Sequence, residues 1–252
     1  MSPTEDRAWK IARVAWTVLT GFFVESFIFA ASVLPAALFW EWHFHWPYPS
    51  DGVRIFALAL SFVPAYLLFA FGLMLLSALI TSILGWRSPP DMEMRISDVE
   101  WPLLRWARYM VSQHIVRLFA GVFYRSTPVW SFYLKLNGAR LGRGVFVNSL
   151  SMSDHNLLEF GDHVVIGSDV HLSGHTVEAG IVKTAFVRLG NGVTVGTGSV
   201  IGIGVEIGDN AQVGALSVVP KHRRLEANAT YVGVPVRRID APETEEMVLG
   251  PP

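Results

Sequence analysis

Residues Leu189–Pro220 read LGNGVTVGTGSVIGIGVEIGDNAQVGALSVVP, and an aliphatic side chain returns every six positions: Leu189, Val195, Ile201, Ile207, Val213, Val219. Glycine follows the first five, and Pro220 follows the sixth. A six-residue unit of this kind predicts one short strand and one turn. The aliphatic residue points into a narrow prism, and the glycine lets the backbone turn the corner. No unit buries its side chain alone, so the core exists only by stacking. Three such units close one coil, which predicts that Leu189 stacks on Ile207 and Val195 on Val213. Strands of a sandwich would alternate with period two and carry no fixed glycines. Leu141-Gly142, Phe160-Gly161 and Ile166-Gly167 follow the same grammar, and Leu172 continues their register. Between Leu172 and Leu189 the register breaks, because Leu189 comes one position short of a full coil. A break of this kind predicts a loop that leaves the prism, and such loops carry function more often than coils do.

The chain has 252 residues, of which 16% are charged, and a formal net charge of −1. That balance does not suggest nucleic acid. Cysteine is absent, which removes disulfides, thiolate zinc sites and cysteine nucleophiles. Mean hydropathy is +0.38, a value that points to membrane segments. From Val14 to Trp40 the only charge is Glu25, and from Ile55 to Trp86 there is none. Each run exceeds the roughly 20 residues needed to cross the hydrocarbon core, and neither reads as a cleaved leader. Pro35 and Pro64 are expected to kink or end these helices. Arg7, Lys10 and Arg13 precede the first run, and Arg87 and Arg95 follow the second, so both termini are expected in the cytoplasm. An acid inside a span faces a partner or a cavity, or else snorkels. For Glu25 the first reading means a helix–helix seam or a substrate head group.

The expected layout is two transmembrane helices in 1–88, a linker and interfacial helix in 89–130, a coiled β domain in 131–240, and a disordered acidic tail in 241–252. In the linker, Leu103, Ala107, Met110, Val111, His114, Leu118 and Val122 form one apolar helical stripe. With Arg105, Arg108, Arg117, Trp101 and Trp106 nearby, the stripe predicts a helix lying on the inner leaflet. His114 reads as a packing residue. His163 and His171 fall at turn positions and read as solvated.

Residues 131–240 resemble the hexapeptide-repeat acyltransferases, which include galactoside and maltose acetyltransferases. The resemblance implies an α+β chain that ends in a left-handed parallel β-helix and assembles as a homotrimer. It also implies acetyl-CoA, or a carrier protein's phosphopantetheine thioester, as donor, with no metal. The two spans and STPVWSFYLKLNGARLG (Ser126–Gly142) are similar to the C-terminal region of poly-lysine synthetases. There several spans accompany three tandem domains of this kind. In the acetyltransferases a Gly-His-Pro loop supplies the catalytic histidine. The matching loop here, SGHTVEAGIVKTAFVRLG (Ser173–Gly190), reads Gly174-His175-Thr176, without the proline. His175 is therefore the expected general base, a role that imidazole suits because its pKa lies near ambient pH.

In SDHNLLEFGD (Ser153–Asp162), Asp154 and His155 are further catalytic candidates, to orient His175 or bind substrate; they also fit a polar corner. By resemblance, Thr197 and Ala215 lie along the pantetheine, and Lys221 and Arg237 near the nucleotide phosphates. YVGVPVRRI (Tyr231–Ile239) looks like the family's closing segment. Three activities fit these residues. The first is acyl transfer to a hydroxyl or amine of a membrane-proximal acceptor. The second is amide formation beside a nonribosomal peptide synthetase. The third is a zinc enzyme like the gamma carbonic anhydrases, with His171 and His175 as ligands. That reading lacks its upstream histidine, since none lies between His114 and His155.

Overall fold

The computed structural model describes residues 3–239, so the expected disordered tail, 241–252, lies outside the described residues. Two long helices come first, α1 (Pro3–His45) and α2 (Asp51–Ile83). Both continue through their prolines, Pro35 and Pro64, which therefore end neither helix. The Ser50 hydroxyl caps α2 by accepting from the Val53 N–H at 3.3 Å. Each helix is long and apolar enough to cross a membrane. Ile28, Ser32 and Ala36 of α1 and Ala65, Leu73 and Ser77 of α2 are buried. Phe22, Phe23 and Phe27 of α1 and Ile55, Phe56 and Leu60 of α2 are exposed. The seam of the hairpin is thus a mix of large aliphatic, small and polar residues, while many large apolar side chains face outward.

Helix α3 (Trp101–Val116) leads through a π-helical turn (Arg117–Gly121) and the short α4 (Val122–Tyr124) to α5 (Pro128–Leu136). Its contacts with α2 retreat as it advances. Ser112 meets Ser77 at 2.9 Å, the Phe119 carbonyl accepts from Tyr66, and the Tyr124 hydroxyl reaches the Leu67 carbonyl. This segment therefore runs along the helical hairpin, antiparallel to α2, and does not lie across it as an in-plane interfacial helix would. It buries the side away from most of its apolar stripe, so the stripe assigned to the leaflet is left largely uncovered. Tyr109, Ser112, Gln113, Val116 and Ala120 are buried, whereas Val111, Leu118 and Val122 of the apolar stripe are exposed. His114, expected to pack, is exposed too and lies 2.6 Å from the Arg117 guanidinium.

The remainder is a left-handed parallel β-helix with three faces. The first face stacks Arg140–Leu141, Leu158–Phe160, Val187–Leu189, Glu206–Ile207 and Arg224–Leu225. The second runs from Phe146–Val147 to Thr230–Val232, and the antiparallel strand Arg237–Ile239 closes its edge. The third stacks Met152–Ser153, His171–Ser173, Val200–Ile201 and Val218–Val219. Leu189 pairs with Ile207, and Val195 with Val213, as the repeat predicts. All four are buried, and with Ile166, Leu172 and Ile201 they fill the prism. The corner glycines exist because successive coils nearly touch: a Cβ added to Gly196 would sit 2.4 Å from the Ala215 nitrogen.

Two coils are longer than the repeat. In the first, Leu141 pairs with Phe160, one position past the register of an unbroken coil. In the second, Phe160 pairs with Leu189, far past that register. The extra residues of the second coil form an antiparallel hairpin, His175–Glu178 with Ile181–Thr184. The linker strand Glu93–Arg95 adds antiparallel to its free edge, with Met94 opposite Val182. The register break in the sequence is thus a structured arm, clasped by the segment that leads out of the helical hairpin.

Candidate active site

Asp154 ends its strand in the left-handed region, with φ of 53°, and a 3₁₀ turn over His155–Leu157 follows. That turn lengthens the first coil and drives the Asp154 carboxylate inward, where it is 0% exposed. Four donors meet it there. His175 Nδ1 lies 2.5 Å from Oδ2, and the Ser173 hydroxyl donates to the same oxygen at 3.2 Å. The Trp106 indole donates to Oδ1 at 3.1 Å, and the Ser88 hydroxyl also donates to Oδ1. The Asp154 backbone N–H donates to Gln113 at 3.2 Å. Burial acts to raise the carboxyl's pKa, but the His175 contact and the Ser88 and Trp106 donors outweigh it and hold Asp154 below its ordinary value. A buried carboxylate is stable only when satisfied in this way.

His175 follows Gly174, and the glycine is what permits the approach: a Cβ there would fall 2.8 Å from the Asp154 Cβ. An ionised carboxylate only accepts, so Nδ1 carries the proton and Nε2 presents a lone pair. The ring meets Trp106 edge-on at 5.0 Å between centroids, and the side chain is 24% exposed. It opens into a cavity of about 510 Å³ between α3 and the third face, bordered by Met110, Ile115, Arg117 and His171. An oriented imidazole with a free Nε2 at the edge of an open cavity is suited to abstract a proton.

The other candidate residues are dispersed. His155 is 2% exposed, with its ring 5.6 Å edge-on to Tyr133 and its Nδ1 without a partner among the described residues. Burial pushes its pKa down to about 4, despite the Asp154 charge. It is a neutral residue packed against Tyr133 and makes no hydrogen bond with the His175 ring, so of the two carboxylate-or-imidazole candidates only Asp154 orients His175. Thr197 and Ala215 occupy one corner of successive coils, where the Leu216 N–H donates to the Thr197 carbonyl at 2.9 Å. Lys221 sits at a different corner, paired with Glu178 of the hairpin arm. Arg237 is exposed on the closing edge strand. His163 is exposed at a turn with φ of 59°. His171 is on a strand instead, bordering the cavity. Burial, His175 and Arg117 lower its pKa. Among the described residues of the single chain, no three His, Asp or Glu side chains are arranged to hold a metal. Glu25 lies at the α1–α3 seam, facing Ser112, with Oε1 buried and unpartnered among the described residues.

Sequence reasoning missed Ser88, Trp106, Gln113 and Ser173. Ser173 adjoins the Gly-His step and was within reach. Trp106 reads as a headgroup anchor until the fold brings it to Asp154. Ser88, in the proline-rich linker, gave no signal.

No family model matches this chain. A curated relative, delta-poly-L-ornithine synthetase of Acinetobacter baumannii (strain AB307-0294), is 28% identical over 178 residues. That match covers 68% of this chain, and this chain spans only 13% of the relative's length. Similar solved structures include a hexapeptide-repeat acetyltransferase of Vibrio cholerae O1 biovar eltor complexed with acetyl coenzyme A. It is 25% identical, covering 41% of this chain and 60% of that one, with a TM-score of 0.38. A galactoside acetyltransferase in complex with coenzyme A is also 25% identical, covering 53% and 80%, with a TM-score of 0.41. A maltose O-acetyltransferase of Clostridium difficile 630 is 20% identical, covering 59% and 91%, with a TM-score of 0.41. The solved structures similar to this chain are thus hexapeptide-repeat acetyltransferases, and its curated relative in sequence is a poly-amino-acid synthetase.

Proposed function

We propose that this chain is a membrane-anchored acyltransferase that moves an acyl group from a phosphopantetheine thioester to a hydroxyl or amine, with His175 as general base. The observation that carries the reading is the buried Asp154 carboxylate 2.5 Å from His175 Nδ1, with His175 lining an open cavity. In the step, Nε2 takes the acceptor proton as its oxygen or nitrogen bonds to the thioester carbonyl carbon. The tetrahedral adduct then expels the thiolate, which takes the proton back from the imidazolium. Asp154 fixes the tautomer and stabilises the transient cation without being protonated itself. A donor that ends in phosphopantetheine would lie along the corner of Thr197 and Ala215, with Arg237 near its phosphates. Lys221 serves that role less well, because Glu178 already neutralises it.

The anchor rests on two apolar helices with outward-facing phenylalanines. The basic residues flanking them put the β-helix on the cytoplasmic face of the inner membrane. A homotrimer fits a His175 that is partly open in a single chain. The match to delta-poly-L-ornithine synthetase favours a second reading, in which a carrier-bound aminoacyl thioester is the donor, a peptide synthetase the partner, and the product an amide. Intact-mass analysis of products, with acetyl-CoA and a carrier-bound aminoacyl donor offered in turn, separates the two. Turnover by His175→Ala equal to wild type would sink both.

A further inference from the structure

We propose that the groove between α1 and α3, joined to the His175 cavity, seats an anionic lipid whose head group is the acyl acceptor. The inference rests on the membrane-anchored reading above and names its substrate class.

Four observations carry it. First, the groove, of about 390 Å³, is walled by Val18, Gly21 and Phe22 of α1 and by Ala107, Val111 and Ile115 of α3. Second, Val111 and Ile115 also border the His175 cavity, so the two spaces adjoin along one ridge of α3. A chain laid over that ridge leads from the apolar flank of the helices to the imidazole. Third, the ridge belongs to the stripe that α3 turns outward, where Val111 is 53% exposed. Fourth, each of the two spaces has an arginine in its lining that is free of any carboxylate among the described residues. Arg108 lines the groove, donates to the Thr17 carbonyl at 3.3 Å and to the Thr20 hydroxyl, and lies 5.2 Å over the Trp86 ring. Among the described residues it has no carboxylate partner. Arg117 borders the cavity, also without one. Buried Asp154 is committed to His175, and Glu25, the acid lining the groove, faces Ser112 further along α1. Cations at the head end and apolar walls along the tail complement an anionic amphiphile. Arg108 lines the groove and Arg117 the cavity, so a head group that crosses the Val111–Ile115 ridge meets a guanidinium on either side of it.

The test uses the full chain in detergent, without donor, so it is independent of turnover. Carbethoxylation of His175 by diethyl pyrocarbonate is followed by mass spectrometry. Dihexanoyl phosphatidylglycerol, an anionic lipid whose head group carries free hydroxyls, is expected at ten times its Kd to slow it about tenfold. Arg108→Gln and Val111→Trp should each weaken that protection, and Arg143→Gln, distant on a coil corner, should not. Equal protection by glycerol 3-phosphate overturns the lipid tail, and equal protection by octyl glucoside overturns the anionic head. No protection by any of the three overturns the site. So does efficient disulfide crosslinking of Val111→Cys between two copies, since this cysteine-free chain would then be covering the ridge with itself. Loss of acyl transfer with protection intact would fault the catalytic reading and leave the site standing.

Discussion

The lower coils of the β-helix, from Val187 to Val232, keep the three-unit repeat without interruption, whereas both upper coils are lengthened by insertions. The lower coils hold only what stacking needs: aliphatic residues inside, glycines at corners. The upper coils carry the two insertions, and the contacts of the Asp154–His175 pair come from them, from α3 and from the linker at Ser88. The repeat is thus a ruler, and the candidate chemistry lies where the ruler is broken. Asp154→Asn gives the largest contrast. It preserves shape but abolishes the charge that holds Nδ1–H, so kcat should fall by about 10²–10⁴-fold with little change in KM. A wild-type kcat would place the base elsewhere.

His155 sharpens the contrast next, since it shares the 3₁₀ insertion but not the cavity. The unfolded chain protonates it near pH 6.5, and the folded chain only near 4. Between those values the unfolded state binds more protons, so stability falls as pH drops from about 6.5 to about 4, by about 3 kcal/mol. Asp154 acts in a lower window: its depressed pKa adds stability that is present above its unfolded value near 3.9 and lost as pH falls through the folded one. Between pH 7 and pH 5 the urea midpoint reads both histidines whose pKa is lowered, His155 and His171. The loss seen in wild type should be smaller in His155→Phe, and an equal loss in both would refute the assignment.

One substitution made in both regions compares them directly. A Cβ at Gly196, in a regular coil, would sit 2.4 Å from the Ala215 backbone nitrogen, which cannot move without its strand. Gly196→Ala should cost about 1–3 kcal/mol. Gly180, in the hairpin arm, has φ of 74° but nothing within 4 Å of an added Cβ, so Gly180→Ala should cost only about 1–2 kcal/mol of backbone strain. Thermal melts of the two variants rank them, and the reverse order would mean that the arm is as tightly packed as the coil.

These contrasts also separate what the sequence made legible from what it did not. Stacking of Leu189 on Ile207 could be read in advance because a coil with no other core allows one register. His175 could be singled out because a register break and a Gly-His step are local, whereas Asp154 could be named only together with His155. The clasp of Glu93–Arg95 on the hairpin was not legible, since so short an edge strand has no pattern of its own. Nor were the Ser88, Trp106 and Gln113 contacts, which depend on how α3 docks. The apolar stripe of α3 could be counted in advance, but not the docking of Tyr109, Ser112 and Gln113 on its other side. Periodicity locates an apolar face without saying whether protein, lipid or another copy will cover it.

The first face of the prism tests the regular region against its own surroundings. Register sets Arg140, Glu159, Arg188, Glu206 and Arg224 in one column of alternating charge. Successive pairs lie at 2.6, 2.9, 3.3 and 2.6 Å. In a solvated ladder each exposed pair contributes little. Arg188→Gln, which breaks two pairs at once, should then shift stability by no more than about 1 kcal/mol. In 1 M salt, where screening reaches about 3 Å, the shift should vanish. A larger loss that persists at high salt, or dissociation of an assembly in sedimentation, would mean that a second copy covers the column. The regular coils would then carry an interface as well as spacing.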